Sequence, residues 1–125
     1  MTIKEVSEKY GISQDTLRYY ERVGVIPDVK RTSGGIRNYS DEDLRWVCLA
    51  KCMRNSGLPL ESMIRYVQLT KEGEKTVPDR MNLLIEQREA LLLQKKQIDE
   101  AIERLTHSIA RYEARIAEGD SLKSN

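Results

Sequence analysis

Four residues in the run 18–22 have side chains suited to binding nucleic acid. Arg18 and Arg22 are four residues apart and therefore share one face of a helix. Their guanidinium groups can contact phosphates or the edge of a guanine, and the hydroxyls of Tyr19 and Tyr20 can contact phosphate oxygens. The run predicts a DNA-contacting helix. The alternative is an amphipathic surface helix whose tyrosines lie partly in the core.

Two short helices are predicted to position these side chains. Thr2 and Glu5 have the spacing of a capping box, so the first helix begins almost at the first residue. Gly11 ends that helix, Ser13 can cap the next one, and Gly24 allows a left-handed cap after it. Two short helices joined by a glycine-containing turn are typical of a helix-turn-helix.

The first turn of the second helix supplies the predicted base-reading residues. In a helix-turn-helix the N-terminal residues of the second helix usually face the bases. These residues are Gln14, Asp15 and Thr16. Asp15 has an alternative role, because an acidic residue in the first turn also complements the helix dipole.

Residues 29–39 predict a wing, which is two short strands around a turn at Gly34 and Gly35. Cationic residues on such a ribbon can hold the DNA backbone beside the groove. The wing residues predicted to contact DNA are Lys30, Arg31, Arg37 and Tyr39.

The pattern R-Y-Y-E-R-x-G-x-I-P at 18–27 and the pattern G-x-R-x-Y at 35–39 resemble the MerR family of dimeric transcription regulators. The resemblance covers about the first seventy residues. It implies that the second helix enters the major groove and that the wing follows the adjacent backbone. By matching position, Arg18, Tyr19, Arg37 and Tyr39 would contact DNA. Arg54, near the end of a third helix, is a further predicted contact.

The segment after the wing predicts a second helix pair, as the family resemblance also implies. Ser40 precedes three acidic residues and can cap the third helix. Gly57 can end that helix, and Pro59 can open a fourth.

The last long segment, which begins near Pro78, carries an apolar stripe. From Met81 to Ile116 the stripe alternates steps of three and four residues over about five heptads, or about 53 Å of helix. Such a stripe predicts a coiled coil with an identical chain, and the alternative is an intramolecular helical hairpin. Arg88 and Lys95 interrupt it at core positions, where polar residues fix register. The family resemblance implies antiparallel pairing. The residues assigned to the dimer interface are Leu84, Leu91, Ile98, Ile102, Leu105, Ile109, Tyr112 and Ile116.

Charge and hydropathy suit a small cytoplasmic protein. The net charge is +1, but residues 1–71 hold 12 Lys and Arg against 9 Asp and Glu, a net of +3. No apolar run has the roughly 18 residues that span a bilayer. We predict a DNA-binding domain at 1–71, a linker at 72–78, the coiled coil at 79–117 and a disordered tail at 118–125. Because only residues 118–125 follow the coiled coil, we expect no separate ligand-binding domain.

Cys48 and Cys52 are the only cysteines and lie four apart on the third helix. With no further ligand they predict no metal site, and His107 is expected to be a solvated surface residue. The run 51–58 resembles the family branch that responds to aldehydes and other thiol-reactive electrophiles. Lys51 and Arg54 would favour a thiolate at Cys52, whereas the C-terminal helix dipole and burial would oppose it. Cys52 is therefore the candidate sensor, and a small core side chain is the alternative.

The sequence predicts a mainly α fold, in which a winged helix-turn-helix domain precedes a long dimerising coiled-coil helix. The expected function is a homodimeric regulator that binds an inverted-repeat operator in double-stranded promoter DNA and distorts it for RNA polymerase. We expect no enzyme activity, no cofactor and no membrane association, because no phosphate loop, metal cluster or nucleophile motif is present. The alternatives are a regulator of the same type with a non-covalent ligand at the dimer junction, or a coiled-coil adaptor that no longer binds DNA.

Overall fold

The computed structural model describes residues 1–124, with side chains described for residues 1–119. It is mainly helical, as predicted, and divides into two compact units, Met1–Gln87 and the chain from Arg88 onwards. The helices are α1 (Ile3–Tyr10), α2 (Gln14–Val23), α3 (Asp41–Asn55), α4 (Glu61–Lys71) and α5 (Val77–Ser124), with a 3-10 turn at Glu74–Thr76.

The ends of the first three helices follow the predicted capping residues. Thr2 and Glu5 form a complete capping box on α1, and this hydrogen bonding lowers the pKa of the Glu5 carboxyl. Ser13 accepts a hydrogen bond from the Thr16 amide at the start of α2, and Ser40 caps α3 in the same way. Gly24 ends α2 with φ 84°, a left-handed conformation that favours glycine.

Helices α1 to α4 enclose one hydrophobic core. Val6 of α1, Leu17 of α2 and Val47 of α3 are fully buried, and Val67 of α4 is 1% exposed. Trp46 packs edge-on against Tyr66, with ring centroids 5.0 Å apart. This core holds α2 in place from behind and leaves its opposite face in solvent.

The wing is smaller than the sequence predicts. Instead of two strands, the described residues contain a single antiparallel bridge between Arg31 and Arg37. The Thr32 amide donates to the Ile36 carbonyl at 2.7 Å, and the Asn38 amide donates to the Lys30 carbonyl at 2.8 Å. With only these bonds on each side of the turn, the ladder is too short to count as strands.

A buried threonine secures the junction between α4 and α5. Thr76 is 4% exposed, and its hydroxyl donates to the Leu69 carbonyl at 2.6 Å. The same oxygen accepts from Nε of Arg80 at 2.9 Å, while Nη2 of Arg80 donates to the Gly73 carbonyl. The polar groups at this turn are thus paired, which fixes where α5 begins.

Helix α5 extends beyond the predicted coiled coil at both ends. It begins at Val77, inside the predicted linker, and continues to Ser124, so residues 118–124 are helical here instead of a disordered tail. Asn125 lies outside the described residues. Most of the predicted seam is exposed in the single chain, from Leu84 at 39% to Ile116 at 65%. Among the described residues, α5 included, we find no helix with the length and apolar character needed to cross a membrane.

Candidate nucleic-acid interface

Helix α2 has one buried face and one face in solvent. Leu17 points into the core, whereas Arg18 and Arg22 are exposed and Tyr19 is 43% exposed. The guanidinium of Arg22 lies over the Tyr19 ring, 5.4 Å from its centroid. The exposed face therefore combines two cations with an aromatic hydroxyl, as a phosphate-contacting surface requires.

Arg18 is held by two of the three residues predicted to read bases. Its Nη1 atom lies 3.1 Å from the Asp15 carboxylate, and its Nη2 atom donates to Oε1 of Gln14 at 3.3 Å. The Asp15 side chain is 97% exposed, so the ion pair is solvated and contributes little to stability. Thr16 serves the N-terminal cap, because its hydroxyl accepts from the Ser13 hydroxyl at 2.8 Å.

Two of the predicted DNA contacts are core residues instead. Tyr20 is 1% exposed and Tyr39 is 3% exposed, and both hydroxyls are buried without a hydrogen-bond partner among the residues that the structure describes. Burial also raises the pKa of the Tyr39 phenol, because a phenolate would be desolvated there. Tyr20 lies three residues after buried Leu17 and so shares its inward face. Neither ring can reach a phosphate in this conformation.

The remaining predicted cations lie at the surface. Lys30 and Arg31 are exposed on the wing, and Nη1 of Arg31 donates to the Gly35 carbonyl at 2.9 Å, which closes the wing turn. Arg54 is exposed in the last turn of α3.

An ion pair that the sequence did not predict joins the wing to α2. Nε of Arg37 lies 3.3 Å from Oε1 of Glu21, and the same oxygen accepts from the Val29 amide at 3.3 Å. The two side chains are only 19% and 14% exposed. Their separation of sixteen residues gives no periodic signal, so only the folded chain reveals the pair.

The two cysteines differ in accessibility. Cys52 is exposed and Cys48 is half-buried. Nζ of Lys51 donates to the Tyr10 carbonyl, so this cation is committed to α1. Adjacent helical residues do not face each other, which further separates Lys51 from Cys52.

Within the described part of the chain, no group of three or more His, Cys, Asp or Glu side chains could hold a metal ion.

Comparisons with known proteins give three clear similarities. A curated relative, the HTH-type transcriptional regulator AdhR of Bacillus subtilis, is 49% identical over 92 residues, which are 74% of this chain and 66% of that protein. A crystal structure described as a MerR family regulator from Listeria monocytogenes has a TM-score of 0.94 and 42% identity, covering 99% of this chain and 95% of that one. The MerR family regulator HiNmlR, lacking the sensor domain and bound to promoter DNA, has a TM-score of 0.84 and 32% identity over 94% of each chain.

The match to the family itself covers the whole helix-turn-helix and wing. Residues 1–70 fit the description "MerR HTH family regulatory protein", and these residues contain all the DNA contacts predicted above. The fold, the exposed face of α2 and the relatives agree with one another. The chain therefore belongs to the MerR family of helix-turn-helix transcriptional regulators.

Proposed function

We propose that the protein is a homodimer that binds an inverted-repeat operator in promoter DNA and distorts that DNA so that RNA polymerase can engage the promoter. We further propose that thiol-reactive electrophiles such as aldehydes switch it through Cys52. The observation that carries the DNA-binding part is the similarity to HiNmlR, which is bound to promoter DNA, over 94% of each chain.

The exposed face of α2 supports major-groove binding. Arg18, Tyr19 and Arg22 line this face, and Gln14 lies at the end that would approach the bases. The solvated pair between Arg18 and Asp15 supplies a guanidinium that can exchange partners with little loss. Residues 1–71 also carry the net positive charge that phosphate binding favours.

The exposed stripe of α5 supports the homodimer, and its charges favour antiparallel pairing. In a parallel pair in register, Arg88 and Lys95 would each face the same cation of the partner in a desolvated seam. An antiparallel pair instead separates the like cations of the two chains along the seam.

The exposure of Cys52 supports its role as the sensor. An electrophile can reach this thiol more readily than the half-buried Cys48. The added group would alter packing at the end of α3 and shift the dimer between two shapes. Distorting a DNA site costs on the order of 1–6 kcal/mol, so a preference of a few kcal/mol for one shape suffices for switching.

DNA binding is tested by electrophoretic mobility shift with the region upstream of the protein's own gene. We expect a specific shift and a footprint over an imperfect inverted repeat. A protein that dimerises but shifts no duplex would instead be a coiled-coil adaptor.

Induction is tested by transcription in vitro with and without an aldehyde. We expect Cys52→Ala to keep its operator affinity and lose induction, while the matched control Cys48→Ala keeps most of it. Full induction of the Cys52→Ala protein would remove Cys52 as the sensor. It would favour a non-covalent ligand at the dimer junction.

A further inference from the structure

We propose that Glu21 is a positioning residue for DNA binding, holding the wing and the Arg37 guanidinium against α2, so that operator affinity depends on an acidic side chain. The inference rests on the proposed DNA-binding function. It assigns to Glu21 the role of a hydrogen-bond acceptor that holds the wing, which the exposed cations of the interface cannot perform.

One carboxylate oxygen ties both sides of the wing to α2. Oε1 of Glu21 accepts from the Val29 amide, at the entry to the wing, and from Nε of Arg37, on the returning side, each at 3.3 Å. The antiparallel bridge between Arg31 and Arg37 joins the two sides to each other. With so short a ladder, the Glu21 carboxylate supplies a polar side-chain contact that relates both sides of the wing to α2.

The geometry leaves Arg37 able to serve the DNA as well. The ion pair engages its Nε, while the two Nη groups remain as donors on the same rigid plane. A guanidinium held on one edge by a carboxylate presents its other edge in a fixed direction, which reduces the entropy lost on binding a phosphate. Lysine has no second edge and could not perform both tasks.

Electrostatics alone predicts the opposite effect of removing Glu21. An acidic side chain beside a polyanion opposes binding, so neutralising it should tighten the complex. A positioning role predicts weaker binding, because the wing and Arg37 lose their anchor. The sign of the change therefore separates the two explanations.

The test measures the affinity of the full chain for labelled double-stranded DNA by fluorescence anisotropy over a series of salt concentrations. We expect Glu21→Gln to weaken binding about tenfold, the effect of one charged contact, and to reduce the salt slope by about one. Arg37→Ala should do the same, and the double variant should be no weaker than Arg37→Ala alone. Arg37→Lys should keep the charge yet bind less tightly than the unmodified protein.

The matched control is Glu42→Gln, which removes an exposed carboxylate paired with Arg45 at 3.1 Å. We expect this variant to bind as well as the unmodified protein or slightly better. Equal or tighter binding by Glu21→Gln would overturn the inference, as would independent, multiplicative losses for Glu21→Gln and Arg37→Ala. If Glu21→Gln does not fold, Arg37→Lys decides, and unchanged affinity in that variant would overturn the inference. An unmodified chain that binds no duplex would overturn the proposed function itself, and the inference with it.

Discussion

The two units of this molecule differ in how far they bury their apolar side chains. In Met1–Gln87, core residues such as Tyr20 and Leu17 are at most 1% exposed within a single chain. Over residues 88–119 most apolar side chains of α5 are exposed, with Leu105 at 64%. The first unit has a hydrophobic core of its own, whereas the second presents an apolar stripe that the single chain leaves exposed.

This difference indicates where each function resides. A closed core can hold α2 and the wing in fixed positions without help from a partner. An open stripe is stable in water only when a second stripe covers it, because isolated helices gain little from propensity alone. Under the proposed function, each chain would specify its own DNA contacts, and the pair would specify the spacing between the two sets of contacts.

The largest expected effect is the loss of the dimer when charge is placed in the stripe. Replacing both Leu91 and Ile98 with Asp would bury carboxylates in an apolar seam, so we expect monomers. Sedimentation velocity measures the change. The matched control replaces Glu100 and Glu103 with Asp on the outer face of α5 and should leave the dimer intact. An unchanged dimer in the seam variant would show that this stripe is not the interface.

Two leucine truncations, one in each unit, should differ in how their effect on stability depends on protein concentration. Leu17→Ala removes a fully buried side chain and should lower the free energy of unfolding by about 2–5 kcal/mol at any protein concentration. Leu105→Ala should destabilise the protein at high concentration and much less on dilution, because its cost arises only in the dimer. Thermal unfolding over a dilution series distinguishes them. Equal concentration dependence would contradict the division.

The smallest expected effect concerns the two buried hydroxyls. Tyr20→Phe and Tyr39→Phe each remove an oxygen for which the described part of the chain offers no hydrogen-bond partner, so stability should be unchanged or rise by about 1 kcal/mol. Denaturant unfolding measures the change. Tyr19→Phe is the control on the exposed face of α2 and should leave stability unchanged. A loss of more than about 2 kcal/mol in either core variant would mean that the hydroxyl has a partner, such as a buried water.

Local signals in the sequence predicted most of the fold. Thr2, Ser13 and Ser40 cap helices as expected, since a cap depends only on residues three or four positions away. Pro59 predicted the start of α4 two residues early, because a proline marks the region of a helix start and not its first residue.

Tertiary packing decided what the sequence could not. The helical spacing from Leu17 could have assigned Tyr20 to the core, but the neighbouring arginines favoured a surface role. Nothing in the local pattern around Tyr39 reveals its burial. The contact between Lys51 and the Tyr10 carbonyl spans 41 residues, and the pair of Glu21 and Arg37 spans sixteen. Such contacts depend on how helices and loops meet in three dimensions, which periodicity does not encode.

Arg88 and Lys95 have a consequence for how this chain avoids the wrong partner. In the proposed dimer, an unbroken apolar stripe would pair with many long amphipathic helices in the same cell. Two cations in the stripe penalise any helix that lacks acceptors at matching heights, because a guanidinium or ammonium buried there would have no counter-charge. In the proposed dimer, the two cations that weaken the self-pair would therefore also disfavour pairing with any long amphipathic helix that lacks such acceptors.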